Sequence, residues 1–251
     1  WCFPPTDRSL VFAGSMSGFF VSDNAGLNWL PIDGPWNTTD ASGALLRRGP
    51  RAVTFDPALP DTGIAAFPIT ADVAYARVYR TTDRGATWSA VTSLPGTGGS
   101  PLNVRFIPGA IVIVTDSTVY RSTDNGSTWT ETATGLPAGR VITDFDGSIN
   151  GSGSLLYVTA ETQARIDLGF RNLYRSTDGG VSWTRCGNTG LFANASIPVA
   201  FAWLAVSPAS PTVLYATVTG GDSAPSAYPQ GRSFYRSADS GSTWTPVLFQ
   251  D

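Results

Sequence analysis

The 251-residue sequence contains no histidine and no lysine. Without an imidazole, Ser-His-Asp catalysis, histidine acid/base chemistry and histidine metal ligation are excluded within these residues. All sixteen basic residues are arginine, and the net charge is −3. A strongly basic face, which a protein needs to displace counterions from nucleic acid, is not expected. Glutamate occurs only at Glu131 and Glu161, so paired-carboxylate chemistry has few candidates. Cysteine occurs only at Cys2 and Cys186, too few for a disulfide framework. No apolar run reaches the roughly 18–20 residues of a membrane span. No metal site and no cofactor are expected.

What is abundant points to short strands joined by turns. Gly (27) and Pro (18) are frequent, and hydrophobic residues make up 42% of the chain against 14% charged. Thr, Ser, Val and Trp favour strand over helix, and the apolar fraction is that of a globular chain.

One frame, Ser/Thr-x-Asp-x-Gly-x-Thr-Trp, recurs five times. The copies are Ser22-Asp-Asn-Ala-Gly-Leu-Asn-Trp29, Thr81-Thr-Asp-Arg-Gly-Ala-Thr-Trp88, Ser122-Thr-Asp-Asn-Gly-Ser-Thr-Trp129, Ser176-Thr-Asp-Gly-Gly-Val-Ser-Trp183 and Ser237-Ala-Asp-Ser-Gly-Ser-Thr-Trp244. Successive tryptophans lie 59, 41, 54 and 61 residues apart, a spacing that variable loops tolerate and a rigid solenoid does not. Each copy follows a strand-like piece such as Leu173-Tyr-Arg175 or Phe234-Tyr-Arg236 and precedes a short strand that begins at the Trp. Two further apolar strands lie upstream, as in Trp203-Leu-Ala-Val206 and Leu214-Tyr-Ala-Thr217. Four strands per repeat is the content of a propeller blade.

Within the frame, Asp83, Asp124, Asp178 and Asp239 are expected to accept hydrogen bonds from the backbone just beyond them, with Asn24 doing the same in the first copy. The glycine supplies a positive φ. Trp29, Trp88, Trp129, Trp183 and Trp244 are expected to bury a large apolar area. These roles are structural and not catalytic.

The frame resembles the Asp-box, or bacterial neuraminidase repeat, and the resemblance covers residues 22–244. The blade style is most similar to xyloglucanase-type glycoside hydrolases, and also to sortilin-type receptors and photosystem-assembly propellers. The resemblance implies an all-β fold, a β-propeller of four-stranded antiparallel blades at about 1–32, 51–92, 102–133, 140–186 and 199–249. Families with this blade style usually close with six or more blades, so the chain is expected to belong to a larger propeller or longer polypeptide. Enzymes, receptors and scaffolds all use the repeat. The catalytic segment of the xyloglucanases has no match here. Of the sialidase landmarks, Arg105-Phe-Ile-Pro108 has the order of the Phe-Arg-Ile-Pro segment changed.

In such a blade the repeated turns mark one face, and the longer loops lie opposite. Those loops hold Trp36, Asp40, Arg47 and Arg48; then Glu161, Arg165, Asp167, Phe170 and Arg171; then Asp222, Tyr228 and Arg232. Trp36 and Tyr228 are candidate platforms for a sugar ring or a partner chain, with the arginines fixing orientation. The alternative is that these aromatics only pin their loops.

The expected function is a non-catalytic extracellular module that binds glycan or protein or serves structural assembly. Its partners would include other parts of the same longer polypeptide. The alternative is part of a glycoside hydrolase, with Glu161, Asp167 and Asp222 as the candidate carboxylates. Asn37, Asn150 and Asn194 stand in glycosylation triplets, which favours secretion. Cys2 and Cys186 fall in blades that are not neighbours, so a disulfide between them is not expected.

Overall fold

The structure, a computed structural model, describes residues 2–39, 42–68, 77–91, 94–95, 99–150, 153–167, 171–191, 199–220 and 232–247. It divides into two compact units, residues 1–131 and 132–251.

The first unit holds three antiparallel blades and one two-stranded hairpin. Blade 1 comprises β1 (Val11–Ser15), β2 (Gly18–Ser22) and β3 (Leu30–Ile32), with Cys2 bridging Phe12 where a fourth strand would lie. A small hairpin follows, β4 (Thr38–Thr39) with β5 (Leu45–Leu46). Blade 2 is β6 (Ala52–Phe55), β7 (Gly63–Phe67), β8 (Arg77–Thr81) and β9 (Ser89–Ala90). Blade 3 is β10 (Pro101–Ile107), β11 (Ala110–Thr115), β12 (Val119–Ser122) and β13 (Thr130–Glu131).

The second unit holds two more. Blade 4 is β14 (Arg140–Asn150), β15 (Gly153–Thr162), β16 (Asn172–Ser176) and β17 (Thr184–Arg185), with one short helix, α1 (Gln163–Asp167), after β15. Blade 5 is β18 (Val199–Val206), β19 (Leu214–Gly220), β20 (Arg232–Ser237) and β21 (Thr245–Pro246). In every blade the strands pair in sequence order, up and down, and the expectation of an all-β chain of antiparallel propeller blades is borne out, with four strands in blades 2–5 and three in blade 1.

Each repeated octapeptide joins the third and fourth strands of its blade. In blade 3, Asp124 Oδ1 accepts from the Ser122 hydroxyl at 2.7 Å and the Thr128 N–H at 2.9 Å, and Oδ2 accepts from the Thr128 hydroxyl at 2.6 Å. Ser122 Oγ in turn accepts from Gly126 N–H at 2.8 Å. The same set recurs at Asp83, Asp178 and Asp239. In the first copy Asn24 Oδ1 takes the Ser22 hydroxyl and the Asn28 N–H. Its amide nitrogen stands where the other turns have a second carboxylate oxygen, and Asn28 stands where they have a hydroxyl donor. One substitution is matched by the other.

The turn asks more of the backbone than a single glycine. Ala25, Arg84, Asn125 and Ser240 take φ of 57° to 61°, and the glycine after each is also positive, at 82° to 90°. Two consecutive left-handed residues are costly for a non-glycine at the first of them. The carboxylate bonds that close over them offset that cost.

Burial is concentrated between successive blades. One cluster joins blades 1 and 2 through Phe12, Phe19, Phe55, Phe67 and Trp88, with many rings edge to face. A second joins blades 2 and 3 through Ile64, Val78, Phe106, Tyr120 and Trp129. A third joins blades 4 and 5 through Tyr157, Leu173, Phe201, Leu214, Tyr235 and Trp244. Trp88, Trp129 and Trp244 are the turn residues that reach the preceding blade. In the second unit Trp183 N–H donates to Thr134 O at 2.9 Å and Trp244 N–H to Thr189 O at 2.8 Å. A β-carbon on Gly135 or Gly190 would meet the Trp183 or Trp244 carbonyl oxygen at 1.9 Å, so only glycine allows that approach.

Trp29 departs from the expected burial. It is 40% exposed, whereas the other four turn tryptophans are 3–9% exposed. No blade of its own unit lies on the side where the others find a predecessor.

Two predictions follow from these contacts. Trp244→Ala is expected to cost about 3–5 kcal/mol of unfolding free energy, by loss of transfer energy and creation of a cavity. Trp29→Ala should cost about 1 kcal/mol or less, and urea titration of both variants checks the contrast.

The turn carboxylates also make stability depend on pH. Hydrogen bonds from the Thr128 hydroxyl and N–H hold Asp124 down at about 2 against an ordinary 3.8, and Thr243 does the same for Asp239. A depressed folded value means the contribution is complete above the ordinary value and disappears as pH falls toward about 2. The urea midpoint should therefore drop steeply over that window. A combined Asp124→Asn and Asp239→Asn variant should start lower at neutral pH and fall less.

Candidate functional site

The loop-bearing end of blade 4 brings together the densest set of charged groups that the sequence singled out. β15 runs on to Thr162, one residue past Glu161, and α1 turns the chain back before β16 begins at Asn172. Glu161 is only 5% exposed. Its Oε2 accepts from Asn172 Nδ2 at 2.5 Å and lies 3.2 Å from Arg165 Nε one helical turn on. Its Oε1 accepts from Thr162 N–H at 2.9 Å. Asn172 Oδ1 takes a bond from Arg185 Nη2 at 2.8 Å, so one guanidinium meets the buried carboxylate directly and a second is linked to it through Asn172. Tyr174 lies under the cluster; burial, and then the Glu161 charge, push its phenol up. Asp167 sits outside, accepting from Gln163 Nε2 at 2.7 Å along the exposed side of α1. Arg171 joins blade 4 to blade 5, its carbonyl accepting from Phe201 N–H at 3.2 Å.

The hairpin after blade 1 differs from the expectation. Trp36 is 1% exposed and stacks on Phe67 at 5.0 Å, with Tyr79 and Phe19 edge-on. It closes the core of its blades and offers no platform to a sugar. The sequence placed it in a polar loop, and the β4–β5 hairpin that folds the loop inward carries too few residues to show a period. Arg47 is engaged by Asp33 through Nε at 2.8 Å and Nη2 at 3.0 Å. That pairing lowers the Asp33 carboxyl and raises Arg47. Asn37 joins it, donating to Asp33 Oδ1 at 2.9 Å and accepting from Arg48 N–H at 3.0 Å. Arg48 reaches Thr38 Oγ1 at 3.5 Å.

Arg232 opens β20, its backbone paired with Thr219. Asn150 ends β14 opposite Gly153. Asp40, Phe170, Asn194, Asp222 and Tyr228 lie outside the described residues.

Three features were not anticipated from the sequence. Arg185 belongs to the Glu161 cluster, although it stands in the strand after the turn and not in a loop. Asp144 and Asp146, on β14, reach across to blade 5 and accept from Leu204 N–H and Val206 N–H, each at 2.8 Å. Burial raises Asp144, with the neighbouring Asp146 charge adding to it. The alternating acids in Thr143-Asp-Phe-Asp146 could have signalled this second inter-strand contact. Finally, Trp203, Tyr215 and Phe234 line an apolar groove of 380 Å³ on blade 5.

Among the described residues no group of His, Cys, Asp and Glu could hold a metal ion, and no helix is long and apolar enough to cross a membrane. Cys2 and Cys186 are both free thiols, and burial pushes Cys186 up to about 11.

No protein-family model matches the chain, and no curated protein matches it in sequence. Solved structures do. An ancestral GH74 enzyme is 16% identical, with a TM-score of 0.65 over 99% of this chain and 32% of its own. The GH74 xyloglucanase from Xanthomonas campestris is 19% identical, with a TM-score of 0.54 over 98% of this chain and 44% of its own. The fold is therefore a β-propeller like theirs, and the chain spans less than half the length of either.

Glu161→Ala is expected to cost about 3 kcal/mol, because it leaves Asn172 buried without its carboxylate, and Glu161→Gln about 1 kcal/mol. Thermal unfolding of the two variants side by side checks the order.

Proposed function

We propose that the chain is a non-catalytic propeller module of an extracellular protein, binding a glycan or protein partner at the loop-bearing end of blade 4. The observation that carries this reading is how the carboxylates are used. Among the described residues every aspartate and glutamate except Asp23 accepts a hydrogen bond from elsewhere in the chain. The turn acids brace their turns, Asp144 and Asp146 serve a blade seam, and Glu161 holds Arg165 and Asn172. A glycosidase needs two carboxyl groups facing each other across an open gap of roughly 5–10 Å. Arg165, Arg171 and Arg185, with Glu161 orienting the first and Asn172 the last, suit an acidic sugar or a carboxylate-bearing partner chain. The repeated turns are read as Asp-box repeats, and the glycosylation triplets support a secreted, glycosylated product.

A second reading, part of a polysaccharide-cleaving glycoside hydrolase, is favoured by one feature: Glu161 is a buried acid at the loop end, and the GH74 enzymes share the fold. Binding to a glycan array and turnover of xyloglucan and sialosides separate the two. The proposed module binds without turnover, and Arg165→Ser weakens binding about tenfold. Turnover that disappears in Glu161→Gln would overturn it in favour of the hydrolase.

A further inference from the structure

The fourth place of the repeated octapeptide is the first of its two left-handed residues: Ala25, Arg84, Asn125, Gly179 and Ser240 in turn. Only the third copy puts a side-chain amide there, and a glycine follows it. Asn125 is exposed, and its amide has no partner among the described residues. An Asn-Gly step is chemically reactive, because the glycine nitrogen brings no side chain into the way of the neighbouring amide carbon.

The closed turn keeps that reaction from starting. Gly126 is buried, and its N–H donates to Ser122 Oγ at 2.8 Å. Attack also needs Cβ of Asn125 and the Gly126 nitrogen eclipsed about the intervening Cα–C bond. A left-handed residue, with φ of 58° here and ψ of about +47°, holds the two nearly opposite. The turn must open before the bond can form.

We propose that Asn125–Gly126 is a site of irreversible self-modification, gated by the third octapeptide turn. When the turn opens, the Gly126 nitrogen gives up its proton and bonds to Asn125 Cγ. The Cγ–Nδ2 bond breaks, and ammonia leaves with that proton. Water then opens the five-membered imide. Addition at Cγ gives aspartate; addition at the former Asn125 carbonyl carbon gives isoaspartate, whose main chain runs through Cβ and Cγ. The extra methylene falls inside the loops that the Ser122–Gly126 and Asp124–Thr128 bonds close. The turn cannot reclose on the same partners, and Trp129 loses its place in the cluster that joins blades 2 and 3. A transient opening becomes a permanent one.

Mildly alkaline incubation of the whole chain, then cleavage at arginine and mass spectrometry, reads the rate. The peptide Ser122–Arg140 carries Asn125, and Val141–Arg165 carries a second Asn-Gly step, Asn150-Gly151, as an internal reference. Folded chain is expected to convert Asn125 about a hundredfold more slowly than chain held in urea. Ser122→Ala should speed the folded reaction about tenfold while the reference peptide keeps its rate. If that variant unfolds, Thr128→Val, which removes only the hydroxyl bond to Asp124, gives the same contrast. Converted chain, separated by its added charge, should melt below fresh chain, and Asn125→Gly should escape that loss because glycine keeps the left-handed turn. Equal rates at Asn125 in folded and urea-treated chain, a rise at both peptides alike, or converted chain that melts like fresh would each overturn the proposal.

Discussion

A carboxylate that accepts hydrogen bonds from its own turn is the constraint on which the rest depends. In Asp83, Asp124, Asp178 and Asp239 the acceptor oxygens gather a hydroxyl from two residues before and an N–H and hydroxyl from four residues after. That closure holds two consecutive residues at positive φ and so fixes the direction in which the chain leaves toward the Trp. Trp88, Trp129 and Trp244 then reach the preceding blade, and the hydrophobic clusters form along those seams. Local electrostatics sets a turn, the turn aims a large apolar side chain, and that side chain joins sheets that share few backbone hydrogen bonds.

Glycine and aspartate make the seams close as well as strong. Gly135 and Gly190 let a Trp carbonyl approach where a β-carbon would sit. Asp144 and Asp146 spend both carboxylates on N–H groups of β18 that no neighbouring strand takes. An inner strand with unsatisfied donors would be costly when buried, and these acids remove that cost. In blade 5 the same positions are Trp203 and Ala205, which carry no carboxylate.

Much of the fold was legible in the sequence because a turn of fixed chemistry repeats, and its Ser, Asp, Gly and Trp each do one local job. The Asn24 variant was readable too, since an amide oxygen accepts the same bonds. The site was far less legible. Trp36 reads as a loop aromatic, yet a two-residue hairpin turns it into the core, a long-range event with no local period. Glu161 was singled out, but its partner Asn172, and Arg185 bonded to Asn172 in turn, come from the next two strands, and only register brings them together. Trp29 stands at the same place in its octapeptide as its four counterparts, and its exposure reflects what packs against it, which the octapeptide does not encode.

The most direct test of this account is amide hydrogen exchange at Trp183 and Trp244. Both N–H groups lie in turns, outside the named strands, and their partners are the Thr134 and Thr189 carbonyls in the segments that lead into blades 4 and 5. If turn and seam form one cooperative unit, these amides exchange as slowly as the central strands β15 and β19. Exchange at the rate of ordinary surface turns would contradict it, because the sheets would then cohere without the turns that are said to join them.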